Sequence, residues 1–217
     1  MALEPEIIVR GEAQARVLPD RATLRVVVDG DGAARDEAYA AAAEPAGAVD
    51  DVIERFAAVI TRTSTTSLVV QPTTRWHKGE SRRTGWRATR TSSIEVEDLG
   101  QLGDLAAALA VAGAAIYGPE WQLDRTNPIH DELRRAAAED ARRRADAYAS
   151  ALGLGLGTVA WVAEPGLRHQ GGGVGGGMQA LYSRAAMGAD GEDVIEVTPE
   201  EIAVEVSVEV GFSFAPR

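Results

Sequence analysis

Between positions 75 and 90 the sequence gathers six basic side chains around one acid. Arg75, Lys78, Arg82, Arg83, Arg87 and Arg90 accompany only Glu80, and Trp76 and Trp86 are interleaved with them. A guanidinium is a planar fork that matches carboxylate and phosphate oxygens, and an indole offers a flat face for stacking. Three readings follow: a nucleic-acid or phosphate site, a contact with an acidic patch on another protein or subunit, and a solvated hairpin tip. The chain carries 33 acids against 22 Lys and Arg, a formal charge of −11. That balance disfavours nonspecific binding to nucleic acid or anionic membranes, which needs an excess of cations. Glu201, Glu205 and Glu209 recur on one face of the last strand and offer an acidic counterpart within the chain itself. The candidate partner- or anion-binding residues are therefore Arg75, Trp76, Lys78, Arg82, Arg83 and Arg87. Trp86 also reads as core, because it opens an apolar face shared with Ala88, Ile94 and Val96.

Other chemistry is thinly represented. The chain has no cysteine, which removes thiolate catalysis, disulfides and Cys-based metal sites. His77, His130 and His169 share no ligand spacing with one another or with a carboxylate. No G-x-S-x-G elbow is present, and no pair of carboxylates stands out as general acid and base. The run at 171–177 has six glycines in seven residues but no following Lys and no Ser or Thr for Mg²⁺. It reads as a flexible loop over about 168–192 rather than a phosphate cradle. The sequence thus names no catalytic residue, cofactor or metal.

The elements that must hold the basic segment are clearer. Val9, Gly11, Ala13, Ala15 and Val17 alternate with Arg10, Glu12, Gln14 and Arg16, and Leu24, Val26 and Val28 follow the Pro19-Asp20 turn. Alternation of period two gives each strand one dry face, and the turn between them predicts a hairpin. A helix is expected over about 33–60, with Tyr39, Ala42, Ala46, Val49, Ile53, Phe56 and Ile60 as its apolar stripe. Pro45 lies inside it and predicts a kink or two helices. A short strand at 67–71 and a longer one at 86–96 flank a polar loop. Asp98 and Gln101 suggest a capping box for a helix carrying Leu99, Leu102, Leu105, Ala106 and Leu109 and closed by Gly113.

Trp121 and Leu123 mark another short strand. Asn127-Pro128 then predicts the start of a helix that ends at Gly153. Its buried stripe is Ile129, Leu133, Ala137, Ala141, Ala145, Tyr148 and Leu152. Its outer face pairs Asp131 with Arg135, Glu139 with Arg143 and Asp140 with Arg144. Strands at 158–164 and 201–214 close the chain, the last with Val204, Val206, Val208 and Val210 facing helices. The order is β-β-α-β-β-α-β-α-β-β. That order predicts an α+β protein of antiparallel sheets with helices packed on one face.

Several strings in this order resemble the SIMPL-domain family. They are Val9-Arg10-Gly11-Glu12-Ala13 with Pro19-Asp20-Arg21-Ala22, then Tyr117-Gly118-Pro119-Glu120-Trp121-Gln122-Leu123. The helix strings Ala137-Ala138-Glu139-Asp140-Ala141-Arg142-Arg143-Arg144-Ala145 and Tyr148-Ala149-Ser150-Ala151-Leu152-Gly153 follow, and Val197-Thr198-Pro199 precedes the last strand. The resemblance implies one domain over 1–217, divisible into two subdomains, and large homo-oligomers in some members. It implies export for most bacterial members and a kinase-binding adaptor in the eukaryotic one, with no established catalytic set. Here Met1-Ala2-Leu3-Glu4-Pro5-Glu6 lacks the basic and apolar regions of a signal peptide, which gives a cytoplasmic expectation. No apolar run is long enough to span a bilayer. The expected function is a non-enzymatic, oligomeric binding or scaffold module with a possible protein partner. The alternative is a small-ligand carrier or enzyme with its site between a sheet and the Gly-rich loop.

Overall fold

The computed structural model describes residues 5–77, 80–167 and 197–215. In chain order the elements are β1 (Glu6–Val17), β2 (Arg21–Gly32), α1 (Arg35–Arg55), β3 (Ile60–His77), β4 (Glu80–Val96), α2 (Leu102–Val111), β5 (Ala115–Gln122), α3 (Ile129–Ala151), β6 (Gly155–Ala163) and β7 (Ile202–Ala215). This is the α+β order expected from the sequence. The chain divides into two compact units. One holds a three-stranded sheet, β1-β7-β6, with α3. The other holds a four-stranded sheet, β3-β4-β2-β5, with α1 and α2.

The hairpin expected at Pro19-Asp20 does not form. β1 pairs antiparallel with β7, while β2 pairs with β4 and β5. The two strands have dry faces, but different helices claim them. Val9 clusters with Ala141 and Ala145 of α3 and with Val210 and Phe212 of β7. Leu24 and Val26 of β2, with Ile94 and Val96 of β4, cluster instead with Val49 and Val52 of α1 and with Leu102, Leu105 and Leu109 of α2. Each such side chain contributes roughly 1.5–3 kcal/mol when fully buried, so these two clusters decide which sheet each strand joins.

The helices refine the expected stripes. α1 runs unbroken through Pro45 and ends at Arg55, not near residue 60. Burial of Ala42, Val49 and Val52 around the proline offsets its cost of about 3 kcal/mol. Ile60 belongs to β3, and Ala38 rather than the exposed Tyr39 is buried. The Asp98 carboxylate accepts the Gly100 N–H at 3.2 Å, but Gln101 donates to that same side chain instead of closing a box on the backbone. Asn127 Oδ1 accepts the Ile129 N–H at 3.0 Å and so caps α3 as expected. Gly153 terminates it at φ +76°. The buried row of α3 is Leu133, Ala137, Ala141, Ala145 and Ala149, together with Asp140, whereas Tyr148 and Leu152 are exposed. A row of four-residue steps, alanine from Ala137 to Ala149, keeps the helix close to its sheet. A β-carbon on Gly11 would lie 2.6 Å from the Ala141 nitrogen.

Among the described residues no helix is long and apolar enough to cross a membrane.

Candidate functional site

The basic segment is not a polar loop between a short strand at 67–71 and a longer one at 86–96. β3 and β4 form one long antiparallel ladder that outruns the rest of its sheet. β2 stops at Gly32, which pairs with Trp86, and Pro72 of β3 pairs with the same tryptophan. Beyond that rung β3 and β4 pair only with each other, in the register Thr73–Gly85, Thr74–Arg83, Arg75–Arg82, Trp76–Ser81 and His77–Glu80. Thr74, Arg75, Trp76 and Glu80 to Thr84 are exposed. The result is a two-stranded arm. Its Thr, Ser and Arg residues alternate nothing, because neither face is buried, so period-two patterning fails to reveal it.

The base of the arm is tightly built. A β-carbon on Gly85 would lie 2.8 Å from the Gly32 carbonyl oxygen. Thr84 falls in a register shift, and its hydroxyl donates to the Thr73 carbonyl at 3.3 Å. The Trp86 ring is approached by two guanidiniums, Arg35 at 4.7 Å and Arg83 at 5.6 Å. Trp86 also packs on the Ala38, Ala42 and Ala88 cluster, so its core reading holds.

The six cations of the segment separate into two groups. Arg87 donates to both oxygens of Asp31, at 2.8 and 2.9 Å. This fork holds the Asp31 carboxyl below the usual aspartate range and raises the Arg87 guanidinium above its own. Arg90 makes a similar fork to Asp50 of α1, at 2.8 and 2.5 Å, which raises its pKa. Arg87 thus links β4 to β2, and Arg90 links β4 to α1. Arg75 and Arg82 sit directly opposite each other, and cross-strand partners share a face. Among the described residues neither they nor Arg83 have a carboxylate within ion-pair distance. Trp76, next to Arg75, is 72% exposed. Lys78 lies outside the described residues, as do His169 and the Gly-rich run at 171–177.

The acids proposed as a counterpart are divided in the same way. Glu209 accepts from Arg10 at 2.8 Å, an interaction that raises the Arg10 pKa, while Glu201 and Glu205 are exposed. The expected pairs of α3 are re-sorted. Arg134 rather than Arg135 binds Asp131, at 2.8 Å, and Arg143 binds Asp140 rather than Glu139. Arg144 Nε binds Asp140 at 2.7 Å as expected, but Asp140 is buried instead of lying on the outer face. Sequence reasoning also passed over the solvent face of α1. That helix has six carboxylates against two guanidiniums, a balance countable in the sequence once its limits are known. By contrast α3 has five of each.

Of the three histidines only His130 has a described side chain. The His130 ring lies 3.1 Å from the Asp124 carbonyl oxygen, inside the turn that opens α3. Among the described residues no group of three His, Asp or Glu converges to hold a metal. A shallow open groove of about 280 Å³ is lined by Ile53, Ile60 and Arg62, among others, where α1 gives way to β3.

Comparison with curated proteins finds no match. The profile of the SIMPL family, described as a protein of unknown function (DUF541), matches residues 7–212. That span takes in the paired strands β1 and β7, both helix-bearing units and the arm. The chain belongs to the SIMPL family.

Proposed function

We propose that this SIMPL protein is a non-enzymatic binding or scaffold module that works as a homo-oligomer and engages acidic protein groups through the β3–β4 arm. One observation carries the reading. Arg75 and Arg82 stand opposite each other, beside the exposed Trp76, on a ribbon that the rest of its sheet does not support. Like charges directly opposite destabilise a strand pair, and a lone two-stranded ribbon is marginal in water. Such a sequence is unfavourable for the free arm and favourable for an arm whose guanidiniums meet carboxylates. The net charge of −11 disfavours nucleic acid as the counterpart, and the same surplus of acids supplies carboxylates on other copies of the chain.

The test is triple reversal of Arg75, Arg82 and Arg83 to Glu in the full chain, followed by light scattering at low and high ionic strength. The reading expects wild type to associate, the variant to associate less, and the difference to shrink as salt screens the charges. A variant unchanged in association and in polyanion binding at low salt would make the arm a solvated tip.

A further inference from the structure

The sheet edges of this protein are poor sites for adding a strand from another copy. Exposed edges pair promiscuously unless charged, bulged or interrupted. On β1, the Asp140 carboxylate occupies the Glu12 N–H. On β6, the register slips on both sides of Val159, and the Ser213 hydroxyl fills one slip by accepting the Thr158 N–H at 3.0 Å. β5 contains Gly118-Pro119, and β3 carries Pro72 and three register shifts. The arm is a different kind of surface: among the described residues Arg75, Arg82 and Arg83 have no carboxylate within ion-pair distance.

What could receive it is also present in the chain. The solvent side of α1 displays Glu44, Asp51 and Glu54, all exposed and without an ion-pair partner among the described residues. Seven residues separate Glu44 from Asp51, about two helical turns or ~10 Å, and Glu54 follows on the next turn. Between them Gly47 faces open space, since a β-carbon there would meet nothing within 4 Å. An acidic, low-relief helix face suits two adjacent guanidiniums and a flat indole.

Building on the reading above, we propose that the arm of one copy docks on α1 of a second copy. Arg75 and Arg82 meet Glu44, Asp51 and Glu54, and Trp76 lies on the small-residue surface between them. Arm and helix face both occur on every copy, so a two-fold axis makes the exchange reciprocal. Each chain gives an arm and receives one, and the interface closes on itself.

Charge-swap sedimentation tests this. Three full-length proteins are compared at low salt, with circular dichroism as the check on folding: wild type, R75E/R82E, and E44R/D51R/E54R. Wild type is expected to dimerise. Each variant alone is expected to bind itself at least roughly tenfold more weakly, because reversal converts attraction into repulsion at desolvated pairs. An equal mixture of the two variants is expected to regain dimers, since the acidic arm of the first meets the basic helix face of the second, and the native arm of the second meets the native helix face of the first.

Monomeric wild type at tens of micromolar overturns both this inference and the reading it rests on. Loss of association on arm reversal, but not on helix reversal, overturns only the inference and leaves an acidic partner elsewhere. Failure of the mixture to recover also overturns the inference. Retention of wild type on single-stranded DNA, lost with arm reversal while sedimentation stays unchanged, replaces it with an anion site.

Discussion

The Asp140 carboxylate, on α3, accepts the backbone N–H of Glu12, on the edge strand β1, at 3.1 Å. The same carboxylate receives Arg144 Nε at 2.7 Å and a nitrogen of Arg143. Arg144 also approaches the Glu12 carboxylate at 3.5 Å. One buried acid therefore bridges two arginines, ties α3 to the sheet and satisfies a backbone donor of its edge strand.

Removing that acid should be costly. Asp140→Ala leaves a strand N–H without its acceptor and two guanidiniums without their shared counter-charge, and is expected to cost about 1–3 kcal/mol. Asp140→Asn keeps an acceptor for Glu12 and should lose less. Urea denaturation of the two variants checks the order; equal stability of Asp140→Ala and wild type would show that the contact contributes nothing.

The Asp31–Arg87 fork makes a pH prediction. Its hydrogen bond depresses the Asp31 pKa in the folded chain. The stabilisation is therefore present above the ordinary aspartate range and is lost as pH falls through the depressed folded value. Because both groups are exposed, the effect on stability should be slight, and carboxyl NMR is the sensitive readout. In Arg87→Ala the Asp31 titration should move upward; an unmoved midpoint would mean that the fork is not populated in solution.

Close approach of helix to sheet should make two glycines intolerant of alanine. At Gly11 the added carbon meets the backbone of α3, and at Gly30 it lies 2.6 Å from the Ala38 carbonyl oxygen of α1. Backbone cannot rotate away as a side chain can. Each substitution should cost about 1–3 kcal/mol through overpacking. Gly47→Ala, in open space on α1, should stabilise slightly by raising helix propensity. Thermal melts of the three variants rank them directly.

Burial sets a fourth expectation. Leu105 is fully buried between α2 and the four-stranded sheet, and Leu105→Ala should cost about 2–5 kcal/mol. At protein concentrations too low for association, arm amides at Arg75 and Arg82 should exchange far faster than those of Leu24 and Val26, which lie in the same sheet over the core. Equal protection in hydrogen exchange would mean that the arm is covered in solution, and its dependence on protein concentration would show whether a second copy covers it.

Local pattern was enough to place most elements of this protein. Alternation in β2 and β7, the Asn127 cap and the stop at Gly153 are short-range facts, written in a few adjacent residues, and they fixed the α+β order. Pairing was not local. Pro19-Asp20 looks the same whether the chain turns back or crosses to another sheet, and only burial of Val9 against α3 and Leu24 against α1 and α2 chose the crossing. Asp140 is spaced from Arg144 as any surface pair would be; the strand that hides it is distant in sequence. The basic residues were legible as a cluster. Which of them are spent on Asp31 and Asp50, and which stand unmatched on a projecting arm, was decided by the register of β2 against β4, because β2 ends where the arm begins.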